Sequence, residues 1–92
     1  MNPSATVAAF ALGEIVFSGN AALRLRVEEV LTALRRHAIG DWGHILPEDA
    51  IANDLAVRCG GRLFSAYGFG PDRFWVVTEA DRSLTSVILP DD

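Results

Sequence analysis

Between Gly40 and Tyr67 the chain carries four glycines and a proline at positions that separate secondary-structure elements. Glycine commonly ends a helix in the left-handed conformation, and proline suits the first turn of a helix. This spacing predicts that one helix ends at Gly40 and that a second begins at Pro47 and ends before Gly60. A strand then follows the paired glycines. The segment therefore constrains the fold more than any other part of the sequence.

The first half of the chain predicts one strand and two helices. Residues 10–17 alternate as a strand does, and Ser18 or Asn20 can cap the helix that follows. The apolar positions of that helix recur at helical spacing: Leu23, Val27, Val30, Leu31, Leu34 and Ala38. The second helix is predicted over residues 47–58. Its apolar stripe comprises Ile51, Ala52, Leu55, Ala56 and Cys59.

From Arg62 the apolar period changes to two, which predicts strands over residues 62–67, 74–79 and 84–89. Short connections favour antiparallel pairing of these three strands. The order is β-α-α-β-β-β, and the predicted class is α+β, with two helices packed on one face of an antiparallel sheet. The sequence does not indicate which strand pairs with the first. Phe74 or Trp75 then belongs to a second sheet face, which we expect to meet a partner or a second copy.

The length of 92 residues predicts a single domain over 1–92, with residues 1–5 and 91–92 frayed. No run of residues is long and apolar enough for a membrane span, and no basic residue precedes the apolar run near the N-terminus, so we expect a cytoplasmic protein. The net charge of −4 argues against direct nucleic-acid binding. We expect no cofactor.

Three groups of residues are candidates for a catalytic or metal site. His37, Asp41 and His44 form a loose metal-ligand pattern, but Gly40 and Gly43 interrupt the helical register. We interpret His37 as a cation at the end of a helix and His44 as a loop residue. The single cysteine, Cys59, is more typical of a small buried hydrophobe than of a nucleophile.

The carboxylates of Glu79 and Asp81 flank the last turn, beside Arg82. Acid–base chemistry needs a pocket that separates two pKa values, whereas side chains around a turn are usually solvated. We expect Asp81 to bond backbone N–H groups and Arg82 to pair with Glu79 or Asp81. The sequence therefore predicts no catalytic residue and no metal site.

Four strings resemble a family of small proteins encoded on bacterial plasmids, phages and integrative elements: GDWG, AND, GGRLFSAY and FWVVTEADRSLTSVILP. The similarity covers residues 12–90, and GGRL and TEADRS are its most specific parts. The chain departs from the family pattern near His44, where an acidic residue is usual, and over residues 68–72. The resemblance implies a mobile-element context and carries over no catalytic residue.

These observations predict a small acidic protein-interaction module without catalysis. In a mobile-element context it could inhibit a host nucleic-acid-targeting defence complex, as an anti-CRISPR or anti-restriction protein. The candidate partner-binding residues are Asp41, Trp42, Glu48, Asp49, Asp54, Tyr67, Trp75, Glu79 and Asp81. Trp42 has two readings, as a plug between helices and sheet or as an exposed anchor.

Two alternatives remain open. The element order resembles that of the RelE/ParE toxin superfamily, whose ribonuclease members rely on a basic surface. Here Arg62, Arg73, Arg82 and Tyr67 could share the sheet, although the net charge counts against phosphate binding. The other alternative is a homodimer formed through the exposed sheet face or an edge strand.

Overall fold

The computed structural model describes residues 8–92, so the predicted fraying of residues 1–5 lies outside the described part. The elements follow in the order β1 (Glu14–Phe17), α1 (Gly19–Arg24), α2 (Val27–Ala38), α3 (Pro47–Cys59), β2 (Leu63–Tyr67), β3 (Phe74–Thr78) and β4 (Leu84–Ile88). A single 3₁₀ turn, Gly70–Asp72, lies between β2 and β3. The α+β class and the order of strands and helical regions are confirmed.

The strands form one sheet in the order β1-β4-β3-β2. β2, β3 and β4 pair antiparallel, as their short connections require. β1 pairs with β4 and runs parallel to it, so the sheet is not wholly antiparallel. A parallel pair needs a long crossover, and the whole chain from α1 to β3 supplies it.

The first strand is shorter than predicted because the chain turns at Gly13. This glycine has φ 68°, and a Cβ placed on it would lie 2.4 Å from the carbonyl carbon of Ser83. Only glycine fits that close approach, so β1 begins just after it. Phe10, predicted within the strand, instead packs its ring against those of His37 and Trp42.

The predicted first helix is two helices. Leu25 and Arg26 have extended backbone angles and separate α1 from α2. The break turns Leu25 towards the core formed by α2 and the sheet. It also leaves three residues of the predicted apolar stripe largely exposed: Leu23, Val27 and Leu31. No glycine or proline marks the break, so local sequence could not predict it.

One sheet face carries the core. Tyr67, Phe74, Val76, Val87 and Leu89 from three strands and their extensions cluster with the inner residues of α2 and with Ala21 of α1. The core residues of α2 are Val30, Ala33 and Leu34. The alternation predicted for β3 is confirmed, since Phe74, Val76 and Thr78 are buried on this first face. Trp75 and Val77 point to the second face.

α3 lies along the outer edge of β2. The side chain of Asn53, which is buried, accepts from the N–H of Phe64 and donates to its carbonyl oxygen, as a neighbouring strand would. Beside it, Gly43 forms an isolated parallel bridge with Ala66. The predicted apolar stripe of α3 therefore faces outward: Ile51, Leu55 and Cys59 are exposed. The expectation of a buried Cys59 is wrong.

His37 lies fully buried under α2, between β2 and β3. Its Nδ1 is hydrogen-bonded to the Ser65 hydroxyl and its Nε2 to Thr78 Oγ1, 2.9 Å away. Thr78 Oγ1 in turn lies 2.7 Å from Thr85 Oγ1, which donates to the Leu12 carbonyl oxygen. A chain of polar groups thus crosses the core from α2 to the segment before β1.

The last hydrogen bond of this polar series, from Thr85 to Leu12, determines the tautomer of His37. Thr85 gives its only hydroxyl proton to the carbonyl of Leu12, so Thr78 must donate to Thr85. His37 Nε2–H then donates to Thr78, and Nδ1 accepts from Ser65. Burial, helped by the nearby positive charge of Arg82, lowers the pKa of His37 to about 4. The sequence-based interpretation of His37 as a helix-end cation is therefore wrong.

The buried neutral imidazole predicts acid sensitivity. Because the folded-state pKa of about 4 lies below the ordinary histidine value of 6.5, the stabilisation by the neutral imidazole is complete above pH 6.5 and is lost as pH falls towards 4. The loss amounts to about 3 kcal/mol of unfolding free energy. Urea unfolding of the wild type between pH 7 and 4, compared with His37→Gln, measures it. The His44→Gln variant should keep the loss, and an equal pH dependence in wild type and His37→Gln would contradict the assignment.

Candidate functional site

A cleft of about 460 Å³ lies between α2 and the connection from β2 to β3. We call it the acidic cleft. One wall is a face of α2, and the other is formed by the end of β2, the β2–β3 connection and the start of β3. Its lining residues are Glu28, Glu29, Thr32, Ala33, Arg36, Tyr67, Gly68, Phe69, Asp72 and Phe74.

The helical wall follows from the spacing of α2. Glu29, Ala33 and Arg36 recur every three or four residues and so lie on one side of the helix, with Glu28 and Thr32 beside them. Both glutamates lie in the first turn, where the helix dipole favours negative charge. Both are exposed and take part in no ion pair among residues 8–92.

The opposite wall is aromatic. Tyr67 and Phe74 are buried with ring centroids 5.9 Å apart and form the floor. Gly68 has φ 77°, and a Cβ there would lie 2.4 Å from the Asp72 carbonyl oxygen, so the connection can turn this tightly only at glycine. The turn places Phe69 at the rim, 75% exposed, with its ring beside that of His44. Asp72 adds a third exposed carboxylate.

Arg36, the one basic residue in the described lining of the cleft, is already paired. Arg36 donates through Nε to Asp41 Oδ2 at 2.7 Å and through a second nitrogen to Oδ1 at 3.1 Å. These bonds lower the pKa of Asp41 and raise that of Arg36. The guanidinium also lies over the Tyr67 ring, 4.8 Å from its centroid. The three carboxylates of Glu28, Glu29 and Asp72 are therefore left without a neutralising partner in the described part of the chain.

The structure places the predicted partner-binding residues in several regions. Asp41, Glu48, Asp49, Asp54 and Asp81 are exposed, and Trp75 and Glu79 are half-buried. Trp42 and Tyr67 are buried, at 6% and 3% exposure, so a partner cannot reach them as surface anchors. Only Tyr67 lines the acidic cleft, and Asp41 adjoins it through Arg36.

The buried Trp42 confirms the plug reading. Its ring stacks on Phe10, meets His37 edge-on, and donates its N–H to Asp54 Oδ1 at 2.9 Å. The Tyr67 hydroxyl donates to the Asp41 carbonyl oxygen, and burial raises its pKa to about 12. Both aromatic residues therefore fix the link between α2 and α3 to the sheet.

The β3–β4 turn follows the prediction for Asp81 but not for Arg82. Asp81 accepts from the N–H and hydroxyl of Ser83, which lowers its pKa. Arg82, at φ 62°, donates to backbone carbonyls, those of Ala56, Gly61 and Glu79, and pairs with neither carboxylate. Glu79 pairs instead with Arg62. Arg82 thereby satisfies the C-terminal end of α3, where carbonyl groups lack helical partners.

The residues considered for catalysis or metal binding do not converge. Within residues 8–92 no group of three His, Cys, Asp or Glu side chains could hold a metal ion. In the toxin-like set, the hydroxyl of Tyr67 and the guanidinium of Arg82 are engaged with backbone carbonyls, and Arg62 pairs with Glu79. Among the described residues, no helix is long and apolar enough to cross a membrane.

Sequence reasoning missed Glu28, Glu29, Phe69 and Asp72. The sequence could have identified the two glutamates, because their spacing to Ala33 and Arg36 places them on a helix side next to the apolar one. Phe69 and Asp72 lie in a connection whose course depends on the tight turn at Gly68. Comparisons of the chain with protein-family models, with curated proteins and with solved structures found no match. The resemblance to the mobile-element family therefore stays a prediction.

The Arg36–Asp41 pair gives a test of the electrostatics at the cleft. In Arg36→Gln the pKa of Asp41 should rise towards its ordinary value, because the two hydrogen bonds that stabilise its ionised form are lost. Carboxyl-carbon NMR titration measures the shift. Asp81, whose pKa is lowered by Ser83, is the internal reference and should not move. An unchanged Asp41 titration would show that the pair does not form in solution.

Proposed function

We propose that this chain is a non-catalytic interaction protein that binds a basic surface of a host protein complex through the acidic cleft. The observation that carries the proposal is the composition of the cleft, with three unneutralised carboxylates beside an exposed phenylalanine over an aromatic floor. An arginine or lysine of a partner suits this arrangement, because its stem can pack on the exposed Phe69 ring while its charged end meets a carboxylate.

The distribution of charge supports a basic partner. The chain has a net charge of −4, and Arg36, the cation of the cleft, is held by Asp41. Two further exposed carboxylates, Glu48 and Asp49, lie outside the cleft at the start of α3, where they add to the negative field without lining the contact. An acidic surface of this kind speeds encounter with a positively charged groove and disfavours nucleic acid itself.

The class of partner rests on the resemblance to proteins of plasmids, phages and integrative elements. Such elements meet host complexes that capture foreign DNA in basic grooves. We propose that the chain occupies such a groove and inhibits the complex, as an anti-CRISPR or anti-restriction protein does. Within residues 8–92, no specific contact favours the toxin-like ribonuclease alternative.

Charge reversal tests the proposal. The double variant Glu28→Lys, Glu29→Lys should weaken binding to its target complex at least 100-fold, since it replaces attraction by repulsion at two positions of the cleft. The measurement is capture of a panel of purified CRISPR effector complexes and restriction enzymes on the immobilised protein. Excess double-stranded DNA should displace the captured complex, because both ligands use the same groove.

The chain offers a matched control in Glu48→Lys, Asp49→Lys. These residues also lie in the first turn of a helix, so the change in net charge and the cost against the helix dipole are the same. The control should retain most of the binding. Equal loss in both double variants would assign the effect to net charge alone, and binding to no member of the panel would contradict the proposed partner class.

A further inference from the structure

The two edges of the sheet differ in whether other parts of the described chain cover them. The β2 edge is closed by the Asn53 side chain and by the bridge from Gly43 to Ala66. The β1 edge has no such cover among residues 8–92. An uncovered edge presents unpaired backbone groups to any extended chain that can reach it.

The hydrogen bonds of β1 identify which groups point outward. The N–H of Glu14 donates to the carbonyl oxygen of Ser83, which precedes β4, and the N–H of Ser18 donates to that of Val87 in β4. Backbone groups alternate along a strand, so Val16 also faces β4. The N–H and C=O groups of Ile15 and Phe17 therefore point away from the sheet. Each strand edge thus offers two donors and two acceptors.

An apolar groove of about 310 Å³ accompanies this edge on the first sheet face. Ile15 and Phe17 of β1 form one side, and Val27, Leu31 and Leu34 of α2 form the other. Among residues 8–92, no charged residue lines this groove. Four of these five side chains are exposed in the isolated chain: Ile15, Phe17, Val27 and Leu31. The groove lies on the opposite side of α2 from the acidic cleft and shares no residue with it.

We propose that a second copy of this chain occupies the β1 edge, through antiparallel β1–β1 pairing about a twofold axis at Val16. In this register Ile15 pairs with the partner's Phe17, and Phe17 with the partner's Ile15. All the outward-facing groups of both strands are then used, in four hydrogen bonds. A register centred on Ile15 or Phe17 would leave half of them unpaired.

The side chains fit the same register. Ile15 and Phe17 lie on the groove side in both copies, so the pairing places each apolar residue beside an apolar residue. The two Val16 side chains meet on the second face. Glu14 comes opposite the partner's Ser18, which avoids facing two glutamates. An isologous interface requires this self-complementarity, and such a dimer accounts for the apolar edge that residues 8–92 leave uncovered.

Sedimentation velocity and light scattering over a concentration series test the dimer. We expect reversible association between about 10 µM and 1 mM, in keeping with a small interface. Ile15→Pro should weaken it at least tenfold, because proline removes an outward N–H without touching the bonds to β4. Phe17→Lys should do the same by placing charge in the groove. Ile51→Lys, on the exposed stripe of α3, is the matched control and should dimerise as the wild type does.

Disulfide trapping tests the register independently of any destabilised variant. In a Cys59→Ser background, Val16→Cys places two thiols opposite each other at the twofold axis, where mild oxidation should yield a covalent dimer. Ile15→Cys should give little, since its counterpart is the partner's Phe17. A wild type that stays monomeric to 1 mM, or a dimer disrupted by Ile51→Lys but not by Ile15→Pro, would overturn the proposal. Because the edge and the acidic cleft share no residue, this outcome leaves the test of the proposed function unaffected.

Discussion

A single long helix, α2, packs on the four-stranded sheet and is too narrow to cover all four strands. The other features of the molecule follow from this incomplete cover. A helix is about 10 Å wide and strands lie about 4.8 Å apart, so α2 can cover about two strands. α1 is six residues long, and α3 is held at the β2 edge by Asn53. The sheet therefore stays covered at its centre and open at β1. The apolar groove is the part of the first face, between β1 and α2, that the described helices leave open.

The covered part is held together by polar as well as apolar contacts. His37 connects α2 to β2 and β3, and the chain of hydroxyl groups continues to the segment before β1. The direction of the hydroxyl bonds requires a proton on His37 Nε2, and burial keeps the imidazole neutral, so the network specifies one tautomer as well as one position for α2. On the second face, by contrast, Trp75 keeps a buried indole N–H with no partner among the described residues. The polar groups of the second face are therefore less completely hydrogen-bonded than those of the first.

The elements that the sequence predicted well are those with local causes. α3 begins at Pro47 and ends next to Gly60, and β2 to β4 follow the period-two pattern to within a residue or two. The features it could not predict depend on distant contacts: the break at Leu25, the parallel pairing of β1, and the burial of His37. The outward apolar stripe of α3 belongs to the same class, because the helix is oriented by Asn53 rather than by hydrophobicity. At the site, Tyr67 was found by its type, whereas Phe69 and Asp72 required the path of the turn at Gly68.

The acidic cleft and the apolar β1 edge lie on opposite sides of α2, and the proposed dimer requires that edge to be a pairing surface. Amide hydrogen exchange read by NMR at increasing protein concentration tests this directly. The amide of Val16, which faces β4, should be protected throughout. Those of Ile15 and Phe17 should exchange freely in dilute solution and become protected together as concentration rises. Rapid exchange of Ile15 and Phe17 at all concentrations up to about 1 mM would contradict it, since that is the upper limit of the association expected for so small an interface.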